Sequence, residues 1–127
     1  MNSLIVALDK LAASQSRNEI LGVASFFRGL IYYHLVSRYG EVPILEAPFS
    51  GDIAASTEEE GWSFVEKNFQ VAIDYAPTFS DKYYVSKQAA KALMARTKLA
   101  QGKLTEAAKL AEEVIGDANF SLADFDQ

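Results

Sequence analysis

The chain has 127 residues, enough for one domain whose hydrophobic core needs neither a metal ion nor a disulfide for stability. Its 50% hydrophobic and 23% charged residues are typical of a globular protein and exclude a disordered chain. The net charge of −5 argues against nonspecific binding to nucleic acid or to anionic membranes. With no cysteine in the sequence, disulfides, thiolate metal sites and lipids attached through a cysteine of this chain are excluded.

The first residues do not read as a secretory signal. Ser3–Leu11 is apolar but contains Asp9 and Lys10, and no basic segment precedes it. No run reaches the roughly 18 apolar residues of a membrane span. The sequence as given therefore predicts a soluble chain without a signal peptide.

Periodicity predicts five helices, the first of which carries Leu4, Leu8 and Leu11 on one face after a cap at Asn2 or Ser3. The second begins near Asn18-Glu19, and Gly40 is predicted to close it, with Pro43 preventing continuation. It is apolar on nearly every side and must be buried on several sides. Its predicted main stripe consists of Ile20, Ala24, Phe27, Ile31 and Leu35.

A long loop, Glu41–Ala55, precedes the third helix, which Ser56-Thr57 caps and in which Glu58–Glu60 suit the helix dipole. Pro77 ends this helix. Its apolar stripe consists of Trp62, Val65, Phe69, Ala72 and Ile73.

The fourth helix is predicted from Ser86 to about Gln101 and the fifth from about Thr105 to Ile115, with Gly102 between them. The tail Asn119–Gln127 looks irregular. No segment alternates with the period of a strand, so the fold class is all-α.

Small residues favour a close antiparallel pairing of the last two helices, typical of a tetratricopeptide hairpin. The match is partial, because Lys91 and Lys98 stand where that repeat usually has aromatic residues. Helices two and three can form an analogous hairpin. The small residues are Ala92, Ala95, Ala107 and Ala111.

Three stretches resemble the tetratricopeptide region of the SusD/RagB family. Phe26-Phe27-Arg28 through Tyr39-Gly40-Glu41-Val42-Pro43-Ile44 is similar to the family's Phe-Arg-Ala helix and its Tyr-Gly-Asp-Val-Pro-Leu exit. Ser86–Arg96 resembles its alanine-rich Leu-Ala-Arg helix, and Gly102–Leu122 resembles its next helix and Tyr-Ser-Leu exit. Their order and spacing also match.

The sequence departs from the family at Gly29, where alanine is usual, at Asn68, where aspartate is usual, and at Ala55, where an arginine is common. Family members are also several times longer. The resemblance therefore implies that residues 1–127 form a single helical-repeat domain, a fragment of a larger SusD-like protein.

By the same resemblance, the intact protein would be a surface-exposed lipoprotein of the outer membrane in Bacteroidetes. It would bind oligosaccharides and pass them to a TonB-dependent outer-membrane transporter. The repeat helices would serve largely as scaffold and as a transporter-facing surface.

Phe27, Arg28, Tyr39, Gly40, Pro43 and Arg96 are interpreted as structural residues, because the family resemblance runs through them. A ligand clamp at Arg28 is the less favoured alternative, since an arginine within so apolar a helix needs a buried carboxylate or loop carbonyls as partners. Arg96 has the same interpretation. The single histidine, His34, fits the core or its rim better than a metal site.

No cofactor motif is present, and catalysis is not expected. Glu58–Glu60 and Glu112-Glu113 are better explained by capping and solvation than as a hydrolytic carboxylate pair. With one histidine, no Ser-His-Asp arrangement can be defended.

Aromatic side chains are the natural contacts for sugar rings. Trp62, Tyr83 and Tyr84 are the candidates, although the spacing of Trp62 favours the core, and Phe49 in the long loop is a further possibility.

The alternative function is a freestanding tetratricopeptide adaptor that binds a peptide in its groove. The apolar second helix discriminates between the two, since a larger protein would cover it. We therefore expect the isolated chain to self-associate or to expose an apolar patch near Leu30–Val36.

Overall fold

The computed structural model describes residues 1–121 and contains five helices in that range. Strand pairing within it is limited to one isolated bridge between Val42 and Ser56. The prediction of an all-α fold with five helices is confirmed. Of the predicted irregular tail, residues 122–127 lie outside the described residues. The helices are α1 (Asn2–Asp9), α2 (Gln15–Tyr39), α3 (Glu58–Tyr75), α4 (Lys87–Ala100) and α5 (Leu104–Ile115).

Local capping explains where the helices begin. Thr57 caps α3 as predicted and forms a capping box with Glu60, and Ser86 caps α4 through the amide of Ala89. α2 begins earlier than Asn18-Glu19, because the Ser14 hydroxyl accepts a hydrogen bond from the Arg17 amide at 3.2 Å.

The first helix also differs slightly from its prediction. Met1 is its N-cap and makes no side-chain capping bond, and the helix ends at Asp9, so Leu11 lies beyond it. Ile5 and Leu8 are its buried residues, whereas Leu4 is exposed.

α2 and α3 form an antiparallel hairpin at close range, as predicted. A Cβ on Gly22 would meet the backbone of Tyr75 and Ala76 at the far end of α3, and one on Gly61 would lie 2.7 Å from a methyl group of Val36. α4 and α5 form the second hairpin around Gly102, whose φ is +73°. α3 packs on α4 and so joins the hairpins into one helical layer.

The core lies mainly between α2, α3 and α4. Its central side chain, Phe69, is fully buried against Phe26, with ring centroids 6.1 Å apart. Tyr32 and Phe64 pack edge to face at 4.8 Å. The buried core residues are Phe26, Tyr32, Val36, Val42, Trp62, Phe64, Val65, Phe69, Ala72, Ala90 and Met94.

α2 has an apolar face that the described chain leaves uncovered. Ile20, Phe27 and Ile31 lie on one side of this helix and are 45%, 40% and 52% exposed, so three of the five residues of the predicted stripe are exposed, whereas Ala24 of the same stripe is buried. The buried face carries Ser25, Tyr32 and Val36 instead. We call Ile20, Phe27 and Ile31 the outer α2 stripe; it begins nearer the start of the helix than the patch expected at Leu30–Val36.

α2 is also long and apolar enough to cross a membrane by length and composition alone, contrary to the sequence reading above. Half of the most apolar 18-residue stretch of α2 is buried inside the protein, and the helix lies close to the start of the chain. The core helix of a soluble protein passes the same test, so length and composition do not distinguish a membrane span from a buried helix.

Candidate functional site

Arg28 is buried near the middle of α2 and reaches three parts of the chain. Its Nε donates to Oδ1 of Asn68 on α3 at 2.7 Å. Its Nη1 contacts Oδ1 of Asn2 at 3.3 Å and the carbonyl of Glu46 at 3.5 Å. The guanidinium also lies 5.1 Å from the centre of the Phe64 ring.

The partners of Arg28 are neutral. Within the described residues it makes no salt bridge, although a buried carboxylate was one of the two partners expected. Burial lowers the pKa of Arg28, and the nearby Glu46 carboxylate acts in the opposite direction. Arg28 is thus held by the side-chain amide oxygens of Asn68 and Asn2 and by one of the expected loop carbonyls, and its structural role stays a prediction.

The start of the long loop between α2 and α3 is held by buried polar groups. The Tyr32 hydroxyl donates to the carbonyl of Pro43 at 3.2 Å and accepts from the amide of Leu45 at 2.8 Å. Nδ2 of Asn2 donates to the Leu45 carbonyl at 2.7 Å. The Ser56 amide donates to the Val42 carbonyl at 3.0 Å and closes the loop. We call residues 42–46 the loop stem.

Beyond the stem, residues 47–55 form an exposed loop tip. Phe49 is 56% exposed, and its ring lies 3.4 Å from where a Cβ on Gly51 would be. Gly51 has a φ of +137°, which other residues rarely adopt. A groove of about 510 Å³ lies at the loop base, between the loop residues Ile44, Glu46 and Ser56 and the α3 residues Ser63, Phe64 and Lys67, among others.

Trp62 is a core residue. It is 8% exposed, its ring centroid lies 5.8 Å from that of Tyr33, and its indole N–H donates to Glu58 at 3.1 Å. Little of its ring is available to a ligand, in line with the core packing that its spacing favoured.

Tyr83 and Tyr84 are far more accessible, at 79% and 72% exposed, in the loop between α3 and α4. The Asp81 carboxylate accepts from the Tyr83 amide at 3.0 Å and so orders the turn. The Lys82 ammonium lies 5.3 Å from the centre of the Tyr83 ring. Neither tyrosine belongs to the core cluster.

The remaining predicted residues occupy varied surroundings. Gly40 ends α2 with a φ of +69°, and its amide donates to Val36. Tyr39 is exposed. Arg96 is exposed, unlike Arg28, and its guanidinium lies 5.8 Å from the centre of the Tyr33 ring of α2. His34 is exposed beside the same ring, at the rim of the core.

A charged network, which the sequence reading missed, joins α3 to the second hairpin. Glu66 accepts from Lys98 at 2.8 Å, Gln101 at 2.6 Å and Lys103 at 3.0 Å, and Lys98 also pairs with Glu106 at 2.8 Å. Burial alone would raise the pKa of Glu66, but these hydrogen bonds lower it below its ordinary value.

The available signal for this network was Lys98, one of two lysines at positions where the repeat usually has aromatic residues. The other, Lys91, pairs with Glu113 of α5 at 2.8 Å. Ion pairs therefore connect the helices at two positions where that repeat usually has aromatic residues. The network borders a groove of about 570 Å³ between α3, α4 and α5, with Met94 and Leu110 among its apolar lining.

Within residues 1–121, no group of three or more histidine or acidic side chains is arranged to hold a metal ion. The exposed aromatic loops and the two grooves described above are accessible to a ligand.

Comparison with known proteins identifies the family. The profile of the SusD-like_3 family, described as "Starch-binding associating with outer membrane", matches residues 1–99. The chain is also 30% identical over 112 residues to SusD-like protein P2 of Formosa agariphila, covering 83% of this chain and 22% of that protein.

Solved structures share the fold. A protein crystallised with a xylogluco-oligosaccharide superposes with a TM-score of 0.86 at 22% identity, covering 96% of this chain and 28% of the other. A laminarin-binding SusD-like protein superposes with a TM-score of 0.80 at 24% identity, covering 88% of this chain and 26% of the other. A SusD-like carbohydrate-binding protein of Bacteroides fragilis superposes with a TM-score of 0.81 at 22% identity, covering 87% of this chain and 23% of the other.

The chain thus spans about a fifth of the curated relative and about a quarter of each of these structures. The matched segment is the helical-repeat region described above. From residues 1–99, which match the family profile, we conclude that the chain belongs to the SusD-like family.

Proposed function

We propose that this chain is the helical scaffold of a longer cell-surface protein that captures oligosaccharides and passes them to a TonB-dependent transporter. It acts by binding, without catalysis. The observation that carries the proposal is the family match over residues 1–99, whose description joins starch binding to the outer membrane.

Two relatives support the class of ligand. One is described as binding laminarin, and another was crystallised with a xylogluco-oligosaccharide. Both ligands are neutral glucans or glucan derivatives, so we propose a neutral oligosaccharide for this protein. The exposed Tyr83 and Tyr84 are proposed sugar contacts, since their accessible rings can stack on the C–H faces of pyranoses.

The outer α2 stripe favours a longer protein over a freestanding peptide-binding adaptor. Ile20, Phe27 and Ile31 present an apolar face that a soluble protein usually covers. Relatives three to four times as long as the matched segment have ample chain to do so. Residues 1–127 are therefore proposed as one helical-repeat domain within such a protein.

The transporter partnership is tested by affinity purification of the protein, in its genomic full length, from outer membranes solubilised in mild detergent. We expect a TonB-dependent transporter to copurify in a stoichiometric complex. Recovery of the protein from soluble fractions, without any transporter, would contradict the partnership. A glycan array of the same preparation tests the sugar class separately, and binding confined to peptides would favour the adaptor.

A further inference from the structure

The first helix, α1, depends on its neighbours for its helical structure. It has eight residues and no side-chain capping bond at its start. Isolated helices shorter than about 12–15 residues are marginal in water. Among the helices of residues 1–121, α1 packs against α2 alone, and it buries only Ile5 and Leu8. It is therefore an element with two states, helical when docked on α2 and unfolded when released.

The two ends of α1 are attached to different parts of the protein. At its end, the Leu8 carbonyl accepts a hydrogen bond from Nε of Arg17, which belongs to α2, at 3.0 Å. At its start, Nδ2 of Asn2 donates to the carbonyl of Leu45 in the loop stem at 2.7 Å. Oδ1 of the same Asn2 accepts from Nη1 of Arg28 at 3.3 Å. Docking of α1 thus links α2 to the loop between α2 and α3.

The loop stem is held from two sides at Leu45. Its amide donates to the Tyr32 hydroxyl at 2.8 Å, and its carbonyl accepts from Asn2. The next residue, Glu46, lines the groove at the loop base and pairs with Lys67 at 3.1 Å. Both side chains of that pair are 58% exposed, so the pair alone holds the groove wall only weakly. The position of the wall therefore depends on the contacts of Leu45, one of which comes from α1.

We propose that α1 is a detachable clamp on the loop between α2 and α3. Docked on α2, it holds the loop stem and one wall of the groove in place. When it is released, the Leu45 carbonyl and Nη1 of Arg28 lose a partner together, and the stem loosens. The coupling is reciprocal, so a ligand that orders the groove wall also favours the docked state of α1.

The outer α2 stripe gives the clamp a means of control. An apolar groove of about 380 Å³ separates α1 from this stripe, with Leu4 of α1 and Ile20 and Phe27 of α2 among its lining. A segment of the longer protein that covers the stripe therefore also contacts α1 and favours its docked state. This step rests on the proposed function, whereas the clamp itself does not.

The test is amide hydrogen exchange of the 127-residue chain, followed by NMR at the amides of Leu45 and Ser56. Leu8→Asp places a charge at a position that is 4% exposed and should release α1, seen as loss of protection at the α1 amides. Leu4→Asp adds the same charge to the same helix at a position that is 42% exposed, and it is the matched control.

Asn2→Ala isolates the polar link, because it leaves Ile5 and Leu8 in place. We expect exchange at Leu45 to become about threefold to tenfold faster in this variant, the effect of one hydrogen bond. Leu8→Asp should increase it at least as much, since release of α1 removes the same bond. The amides of α5 are the reference and should exchange as in the unmodified chain.

Unchanged exchange at Leu45 in Asn2→Ala would overturn the clamp, as would an equal increase in Leu4→Asp. If Leu8→Asp also deprotected the amides of α5, the whole chain would have unfolded, and Asn2→Ala would decide. In the genomic full-length protein, Leu45 should exchange more slowly than in the 127-residue chain. Equal rates would overturn control by the covering segment, while the transporter copurification decides the proposed function separately.

Discussion

The Nε of Arg28 and the Oδ1 of Asn68 lie 2.7 Å apart, joining α2 to α3 between two almost fully buried side chains. The Asn68 amide nitrogen in turn donates to the carbonyl of Phe64 at 2.8 Å. Both ends of the Asn68 amide are therefore satisfied, and a buried cation is held by a neutral acceptor.

Asn68→Ala should lower the free energy of unfolding by about 2–3 kcal/mol, because it removes a hydrogen bond to a buried charge. Asn68→Asp, which introduces the residue usual in the family, should lower the free energy of unfolding by less at neutral pH. It supplies Arg28 with a carboxylate but loses the donor to Phe64. Urea denaturation measures both, and an aspartate variant as unstable as the alanine variant at neutral pH would contradict this account.

The charges around Glu66 predict how stability depends on pH. Its folded-state pKa lies below the ordinary value of 4.5, so its contribution is present above that value and is lost as the pH falls through the folded-state pKa. Glu66→Gln should therefore flatten the acid side of the stability profile. Urea denaturation from about pH 3 to about pH 7, across and above the range in which ordinary carboxylates titrate, is the measurement.

Lys98 behaves in the opposite sense. Burial alone would lower its pKa, but hydrogen bonds to Glu106 and Glu66 raise it above the ordinary value of 10.5. Its contribution is fully present below that value and is lost as the pH rises through the folded-state pKa. Lys98→Met should therefore remove part of the loss of stability at high pH, as measured by urea denaturation. If the stability of Lys98→Met fell with rising pH just as that of the unmodified chain does, this role of Lys98 would be contradicted.

Gly22 is required by the close approach of α2 and α3. A Cβ there would collide with the backbone amide of Ala76, so Gly22→Ala should destabilise the protein by about 1–3 kcal/mol despite the better helix propensity of alanine. Gly102→Ala is the comparison, since there the positive φ strains the backbone but the added carbon meets no atom within 4 Å, so its loss of stability reports strain without collision. Thermal unfolding compares them, and a more stable Gly22→Ala variant would refute the contact.

The outer α2 stripe predicts that the isolated chain self-associates as its concentration rises. Ile31→Lys should suppress this association while keeping the helical circular dichroism spectrum, because Ile31 already faces solvent. Ile115→Lys, at an exposed apolar position on α5, is the comparison. Sedimentation velocity measures the association. A chain that stays monomeric at millimolar concentration would weaken the inference that a longer polypeptide covers this face.

The helices and their ends follow from local chemistry, and the sequence therefore predicted most of them. The capping residues act within one turn of their own backbone, so their roles can be predicted without knowledge of the fold. They are Thr57 with Glu60, Ser86 and Gly102. The exceptions are the start of α2, where Ser14 was overlooked as a cap, and α1, which has no side-chain cap and ends before Leu11.

The sequence by itself also determined the family, because the order and spacing of its three matching stretches do not depend on tertiary contacts. Tertiary structure decided the partners and the exposure of individual side chains. Arg28 and Asn68 are 40 residues apart, and only the packing of α2 on α3 joins them. That packing also buried the face of α2 that carries Tyr32 and Val36 and left Phe27 and Ile31 outside. A helix apolar on both sides does not specify by pattern alone which side its neighbours will cover.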